Sequence, residues 1–158
     1  MMLSFHILPE HAEDPAAIEA LLDRSFGPAR QQRTVYRLRE GVDPVPGLCF
    51  VAVDDAGTLL ASLRFWPVQV GATPALLFGP LAVEPARRNQ GLGRALLRHG
   101  LSAARQQGHR LCLVSGEPDY YAPYGFVPAE EHGLALPGPI EPGRFQVLEL
   151  VPGALSGV

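Results

Sequence analysis

Leu81-Ala82-Val83-Glu84-Pro85-Ala86-Arg87-Arg88-Asn89-Gln90-Gly91-Leu92-Gly93-Arg94-Ala95-Leu96-Leu97 decides the reading of this chain. It runs from an apolar strand through a basic, glycine-containing turn into a leucine-rich helix. The first N–H groups of a helix have no intrahelical acceptor and carry partial positive charge, so such a turn suits a phosphate-bearing ligand. Two common ligands fail on spacing. A dinucleotide fingerprint needs a third Gly or Ala where Leu96 stands, and a P-loop needs Lys then Ser or Thr where Arg94-Ala95 follow Gly93.

Upstream, the strand expected over about Ala75 to Val83 is interrupted at Gly79-Pro80. Proline donates no ladder hydrogen bond and glycine in a strand marks a bulge or close approach, so pairing weakens there. The plainer alternative is an edge strand with a harmless proline. Downstream, the helix expected from Gly91 to Gln107 shows an apolar face from Leu92, Ala95, Leu96, Leu101, Ala103 and Ala104. Arg94, Arg98 and Arg105 lie opposite, and Gly108 ends it. Farther out, Leu3 to Leu8, Leu48 to Val53 and Thr58 to Val70 read as strands, the last two joined across Asp54-Asp55-Ala56-Gly57. Helices are expected after Asp14-Pro15 and over about Arg30 to Glu40.

A second cluster follows the strand-like Leu111-Cys112-Leu113-Val114. It is Ser115-Gly116-Glu117-Pro118-Asp119-Tyr120-Tyr121-Ala122-Pro123-Tyr124-Gly125-Phe126. Arg88-x-x-Gly91-x-Gly93 resembles the acyl-coenzyme A signature of the GNAT superfamily of N-acetyltransferases, and Tyr121-x-x-x-Gly125-Phe126 resembles its tyrosine element. The Pro and Tyr-Tyr form is closest to the bacterial YhbS-like N-acetyltransferases. The resemblance is strong from about Val51 to Phe126 and thins on both sides.

The resemblance implies an α/β (α+β) architecture: a central mixed, mostly antiparallel sheet of about six to seven strands flanked by about four helices. That sheet is splayed between its fourth and fifth strands. The pantetheine arm of acetyl-CoA would enter the splay and meet the main chain of Leu81, Ala82 and Val83. Its pyrophosphate would lie on Arg88, Asn89, Gln90, Gly91, Leu92, Gly93 and Arg94. The activity implied is transfer of acetyl from acetyl-CoA to a primary amine of a small molecule or peptide, by direct attack in a ternary complex. Tyr121 would protonate the departing thiolate, a match because thiols and phenols ionise in the same range, roughly pH 8 to 10. For the base that takes the amine proton, Glu84 and Glu117 compete with a water chain or another residue. Each has an ordinary alternative, a solvated strand end for Glu84 and a helix N-terminal charge for Glu117.

Composition narrows the class. The chain has 158 residues, 47% hydrophobic, enough for one core and one domain spanning 1–158. It lacks a run of about 20 apolar residues, and Met1-Met2-Leu3-Ser4-Phe5-His6 lacks the basic head of a signal peptide, so a cytoplasmic protein without a membrane role is expected. A formal charge of −3 argues against a nucleic-acid partner. All thirteen basic residues are Arg, so the chain has no ε-amine to acetylate. Cys49 and Cys112 lie in apolar runs and read as buried hydrophobes. His6, His11, His99, His109 and His132 show no paired ligand spacing, so no metal is expected.

Acceptor recognition falls where the resemblance fades, at about Ser25 to Gly41 and Ala129 to Arg144. Arg30, Arg33 and Arg37 share one helical face, either solvated or drawn to an acceptor anion. A homodimer stays open. The competing class is a non-catalytic acyl-CoA binding sensor or regulatory module, which would have no need of a phenol beside the sulfur.

Overall fold

A computed structural model describes residues 4–10, 15–26, 42–88, 90–116, 118–134 and 144–156. The apolar runs among them become one seven-stranded sheet. Its strands are β1 (His6–Pro9), β2 (Cys49–Val53), β3 (Leu59–Val70), β4 (Thr73–Val83), β5 (Leu111–Ser115), β6 (Val127–Pro128) and β7 (Phe145–Glu149), in spatial order β1-β2-β3-β4-β5-β7-β6. Three α-helices are described: α1 (Pro15–Phe26), α2 (Leu92–Gln106) and α3 (Pro118–Tyr121). The helix expected over about 30 to 40, the acceptor-loop residues 135–143, Asn89 and Glu117 lie outside the described residues.

Local chemistry sets the joints. Asp54 Oδ1 accepts the N–H groups of Ala56 and Thr58, both at 2.9 Å, and Gly57 takes a positive φ of 83°, which closes the β2–β3 hairpin. All neighbouring strands are antiparallel except β4 and β5, between which α2 carries the chain back across the sheet. Leu92, Leu96, Leu97, Leu101 and Ala104 of α2 are buried against one sheet face, in a cluster with Leu63, Phe65 and Phe78. Arg94, Arg98 and Arg105 are exposed, as the 3.6-residue period requires. Helix and sheet meet closely at Gly100, where a Cβ would stand 2.7 Å from Phe65 Cε2 and 2.9 Å from Leu63 Cδ2.

The opposite face carries α1, whose Ile18, Leu21 and Leu22 are buried against Val51 and Ala82. Beside it, Leu77, Leu111, Leu113 and Val147 pack with Phe145 and Ala129. β5 is therefore covered on both faces, and its run from Leu111 to Val114 is buried without alternation.

The interruption at Gly79-Pro80 is a bulge. Leu63 faces Leu81 and Phe65 faces Phe78, so Gly79 and Pro80 together oppose Arg64 alone. The Gly79-Pro80 bond is cis, and the Gly79 carbonyl accepts from Trp66 Nε1 at 2.6 Å. β4 and β5 pair only at Leu76 with Cys112 and Leu77 with Leu113. Beyond that point β4 follows β3 and β5 follows β7, so a wedge opens between them.

Candidate active site

The wall of this wedge is the β4 main chain. Glu84 N–H donates to the Leu60 carbonyl at 2.7 Å, and bonding direction alternates along an antiparallel ladder. Leu81 and Val83 therefore turn their main-chain groups away from β3, into the gap. Ala82, expected to join them, does not: its main chain faces Ser62 of β3, and its side chain is buried under α1. The phase of the ladder makes the expected three donors two. Ser25 Oγ at the end of α1 donates to the Val83 carbonyl at 3.3 Å.

The top of the wedge is the start of α2. Gly91 caps it with φ +86° and no side-chain cap, and the first helical bond runs from Ala95 N–H to the Gly91 carbonyl at 3.0 Å. The N–H groups of Leu92, Gly93 and Arg94 consequently have no intrahelical acceptor. A Cβ on Gly91 would meet nothing within 4 Å, so this turn opens outward. Gln90, Gly91 and Arg94 are exposed around it, Leu92 is buried and Gly93 half-buried. Arg88 is exposed and leans toward α1, its Nη2 3.5 Å from the Ser25 carbonyl, the outer limit of a hydrogen bond.

The floor is aromatic. Phe78 is the first β4 residue beyond the last β4–β5 pair, and Tyr121 meets it edge-on with ring centroids 5.4 Å apart. Tyr121 also packs on Phe126 at 5.7 Å and lies across Gly116, where any side chain would collide with its ring. Gly116 is held by its N–H to the Arg144 carbonyl at 2.9 Å and by buried Gln146, whose Nε2 donates to the Gly116 carbonyl at 3.2 Å. Burial, reinforced by neighbouring Tyr120 and Tyr124, pushes the Tyr121 phenol far above the ordinary tyrosine range. Its hydroxyl has no hydrogen-bond partner among the described residues. It therefore keeps its proton at neutral pH.

Glu84 lies on the other face. Ala82 and Glu84 point to the α1 side, whereas Leu81 and Val83 pack with the α2 side. The Glu84 carboxylate accepts from Arg24 Nη2 at 2.7 Å and Nε at 3.2 Å, both on Oε2, with the side chain 24% exposed. It is thus an ion-paired anchor between α1 and the end of β4, with Oε1 taking no partner among the described residues. Tyr121 and Glu84 flank the wedge from opposite faces of the sheet.

Sequence reasoning passed over Arg24, Ser25 and Gln146. A lone glutamine inside Phe145-Gln146-Val147-Leu148 was the available signal for the last of these; Arg24 and Ser25 gave none. Cys49 is pushed up to about 11, mainly by burial and then by Glu10, and Cys112 is pushed up further by complete burial. Among the described residues no group of three or more His, Cys, Asp or Glu is placed to hold a metal, and no helix is long and apolar enough to cross a membrane.

A parallel strand pair that parts over a helix N-terminus, with a tyrosine at the fork, agrees with the family model for the acetyltransferase (GNAT) domain, which matches residues 46–128. The chain belongs to the GNAT acetyltransferase family. Among its relatives, the uncharacterized N-acetyltransferase YhbS of Escherichia coli K12 is 37% identical over 147 residues, covering 92% of this chain and 87% of YhbS. The crystal structure of Escherichia coli YhbS in complex with CoA superposes with a TM-score of 0.86 at 34% identity, covering 100% of this chain and 88% of that one. A GNAT acetyltransferase of Brucella melitensis in complex with acetyl-CoA gives 0.70 at 30% identity, covering 94% and 89%.

Proposed function

We propose that this chain is an acetyl-CoA-dependent N-acetyltransferase acting by direct attack in a ternary complex on a primary amine of a small molecule or peptide. One observation carries the reading: the β4–β5 wedge joins a strand edge at Leu81 and Val83 that turns away from β3, N–H groups at Leu92 to Arg94 without an intrahelical acceptor, and the protonated phenol of Tyr121. An extended amide-bearing chain ending in a pyrophosphate fits the first two, and a departing thiolate needs the third. The CoA and acetyl-CoA complexes of the two structural relatives support the same ligand here.

In this reading the α2 N-terminus and Arg94 hold the pyrophosphate, with Arg88 and Gln90 at its rim and Asn89, which lies outside the described residues, as a further expected contact. The strand edge fixes the thioester against the acceptor, which supplies proximity before any proton moves. A β4 main-chain N–H stabilises the oxyanion that forms as the amine adds to the thioester carbonyl. Collapse breaks the C–S bond, and Tyr121 gives its proton to the sulfur. The amine proton leaves on the α1 face, either to Glu84 through Oε1 or to water. We take residues 1–158 as one domain, since the described strands form one sheet.

The test is a thermal-shift titration with acetyl-CoA, followed by an amine-panel assay of released thiol. A saturable shift with turnover on at least one amine is expected. No shift would sink the site, and a shift without turnover on any amine would make the protein a sensor. Unchanged turnover in Glu84→Gln would leave the base role to water.

A further inference from the structure

We propose that Tyr120 is a positioning residue for the nucleotide half of the cofactor, donating its phenol hydrogen bond to the pyrophosphate at the mouth of the wedge. The inference rests on the coenzyme A reading above and goes beyond it, since the family pattern points to Tyr121 alone.

The placement of the hydroxyl carries the argument. Tyr120 belongs to α3, on the β5 side of the wedge, yet its oxygen reaches across to the first turn of α2. A Cβ built on Gly93 would lie 2.8 Å from the Tyr120 oxygen, 3.4 Å from Val83 Cγ2 and 3.8 Å from Leu81 Cδ2. The hydroxyl thus stands at the first turn of α2, where that turn faces the side chains of Leu81 and Val83 of β4. The ring is braced there, edge-on to Tyr121 at 4.9 Å and tilted against Tyr124 at 6.3 Å. It is 43% exposed, and its hydroxyl has no hydrogen-bond partner among the described residues.

An exposed phenol donor beside the first turn of α2, with no partner among the described residues, is available to an anion bound there. Partial burial raises its pKa, Tyr124 adds to that and Arg94 opposes it, so the oxygen carries its proton at neutral pH. Gly93 fits the same account, because a side chain there would displace the hydroxyl. Tyr121 and Tyr120 then divide the work: one phenol lies at the fork, where the thioester belongs, and the next lies at the mouth, where the phosphates belong.

The experiment compares wild type with Tyr120→Phe by calorimetric titration of two probes, coenzyme A and pantetheine, which lacks the phosphates and nucleotide. Loss of one hydrogen bond to a charged group should weaken coenzyme A about tenfold. Pantetheine affinity and the unfolding midpoint of the free protein should stay unchanged. An equal loss for both probes would mean that the hydroxyl acts on the pantetheine arm or on the fold, and would overturn the proposal. So would an unchanged affinity for coenzyme A in a wild type that binds it. Failure of the wild type to bind either probe would instead remove the coenzyme A reading, and this inference with it.

Discussion

Replacing Tyr121 by Phe separates the proposed proton transfer from folding, because the lost hydroxyl has no hydrogen-bond partner among the described residues. The ring contacts with Phe78 and Phe126 and the seat over Gly116 remain in the variant. Removing a largely desolvated hydroxyl that has no partner among the described residues relieves a desolvation cost, so stability should hold or rise by up to about 1 kcal/mol. The chemical step should suffer differently. A positioned general acid contributes about 10²- to 10⁴-fold, so kcat should fall at least about a hundredfold while acetyl-CoA still binds.

The sign of the pH effect follows from the raised phenol pKa. In the proposed role Tyr121 works while protonated, so wild-type turnover should persist beyond the ordinary phenol range and decline only as pH rises through the raised value. By linkage, the same shift contributes stability that is fully present below the unfolded pKa of about 10 and is lost as pH climbs toward the folded one. Released-thiol rates from neutral to alkaline pH, paired with urea unfolding at each pH, measure both effects. Full activity of Tyr121→Phe across the alkaline range would refute the proton-donor role, and destabilisation by about 2 kcal/mol would refute the account of an unpartnered hydroxyl.

Three further outcomes are expected. Gly91→Val places a β-branched residue at φ +86°, at a cost of about 1–2 kcal/mol, and puts a side chain where the turn opens outward. It should abolish the acetyl-CoA thermal shift while the protein still folds, and an unchanged shift would contradict the cradle. Gly100→Ala gains about 1 kcal/mol of helix propensity but drives a methyl to 2.7 Å from fully buried Phe65, an overpacking cost of about 1–3 kcal/mol. Urea unfolding should show net destabilisation, and a stabilised variant would contradict the close contact of α2 with β3. Cys49, raised to about 11, should stay protonated at neutral pH and react with iodoacetamide far more slowly than a free thiol, as followed by mass spectrometry.

What was legible in the sequence was whatever depends on neighbours along the chain. Gly91 and the leucines after it mark the start and buried face of α2, and Gly79-Pro80 marks where β4 changes its pairing. Whether Ala82 or Val83 faces the wedge depends on the phase of the β3–β4 ladder, and the bulge at Arg64 shifts that phase. No local pattern encodes it. The partnership of Glu84 with Arg24 joins residues 60 positions apart, and that of Gln146 with Gly116 joins residues 30 apart. Each needs the sheet to be assembled first. The pair Tyr120-Tyr121 shows the limit within a single motif. Adjacent identical residues are indistinguishable as letters, and only packing sends one ring to the fork and the other hydroxyl to Gly93.

Gly93 and Gly100 stand about two turns apart on one side of α2. Each brings the helix close to what lies beneath it, Gly93 to Leu81 and Val83 of β4, Gly100 to Leu63 and Phe65 of β3. Two such close approaches set the line of the helix axis as well as its height over the sheet. The spacing between its terminal N–H groups and the strand edge is then set by the hydrophobic interior before any ligand arrives. An anion meeting this turn finds its donors already oriented and has no ordering of the helix to drive.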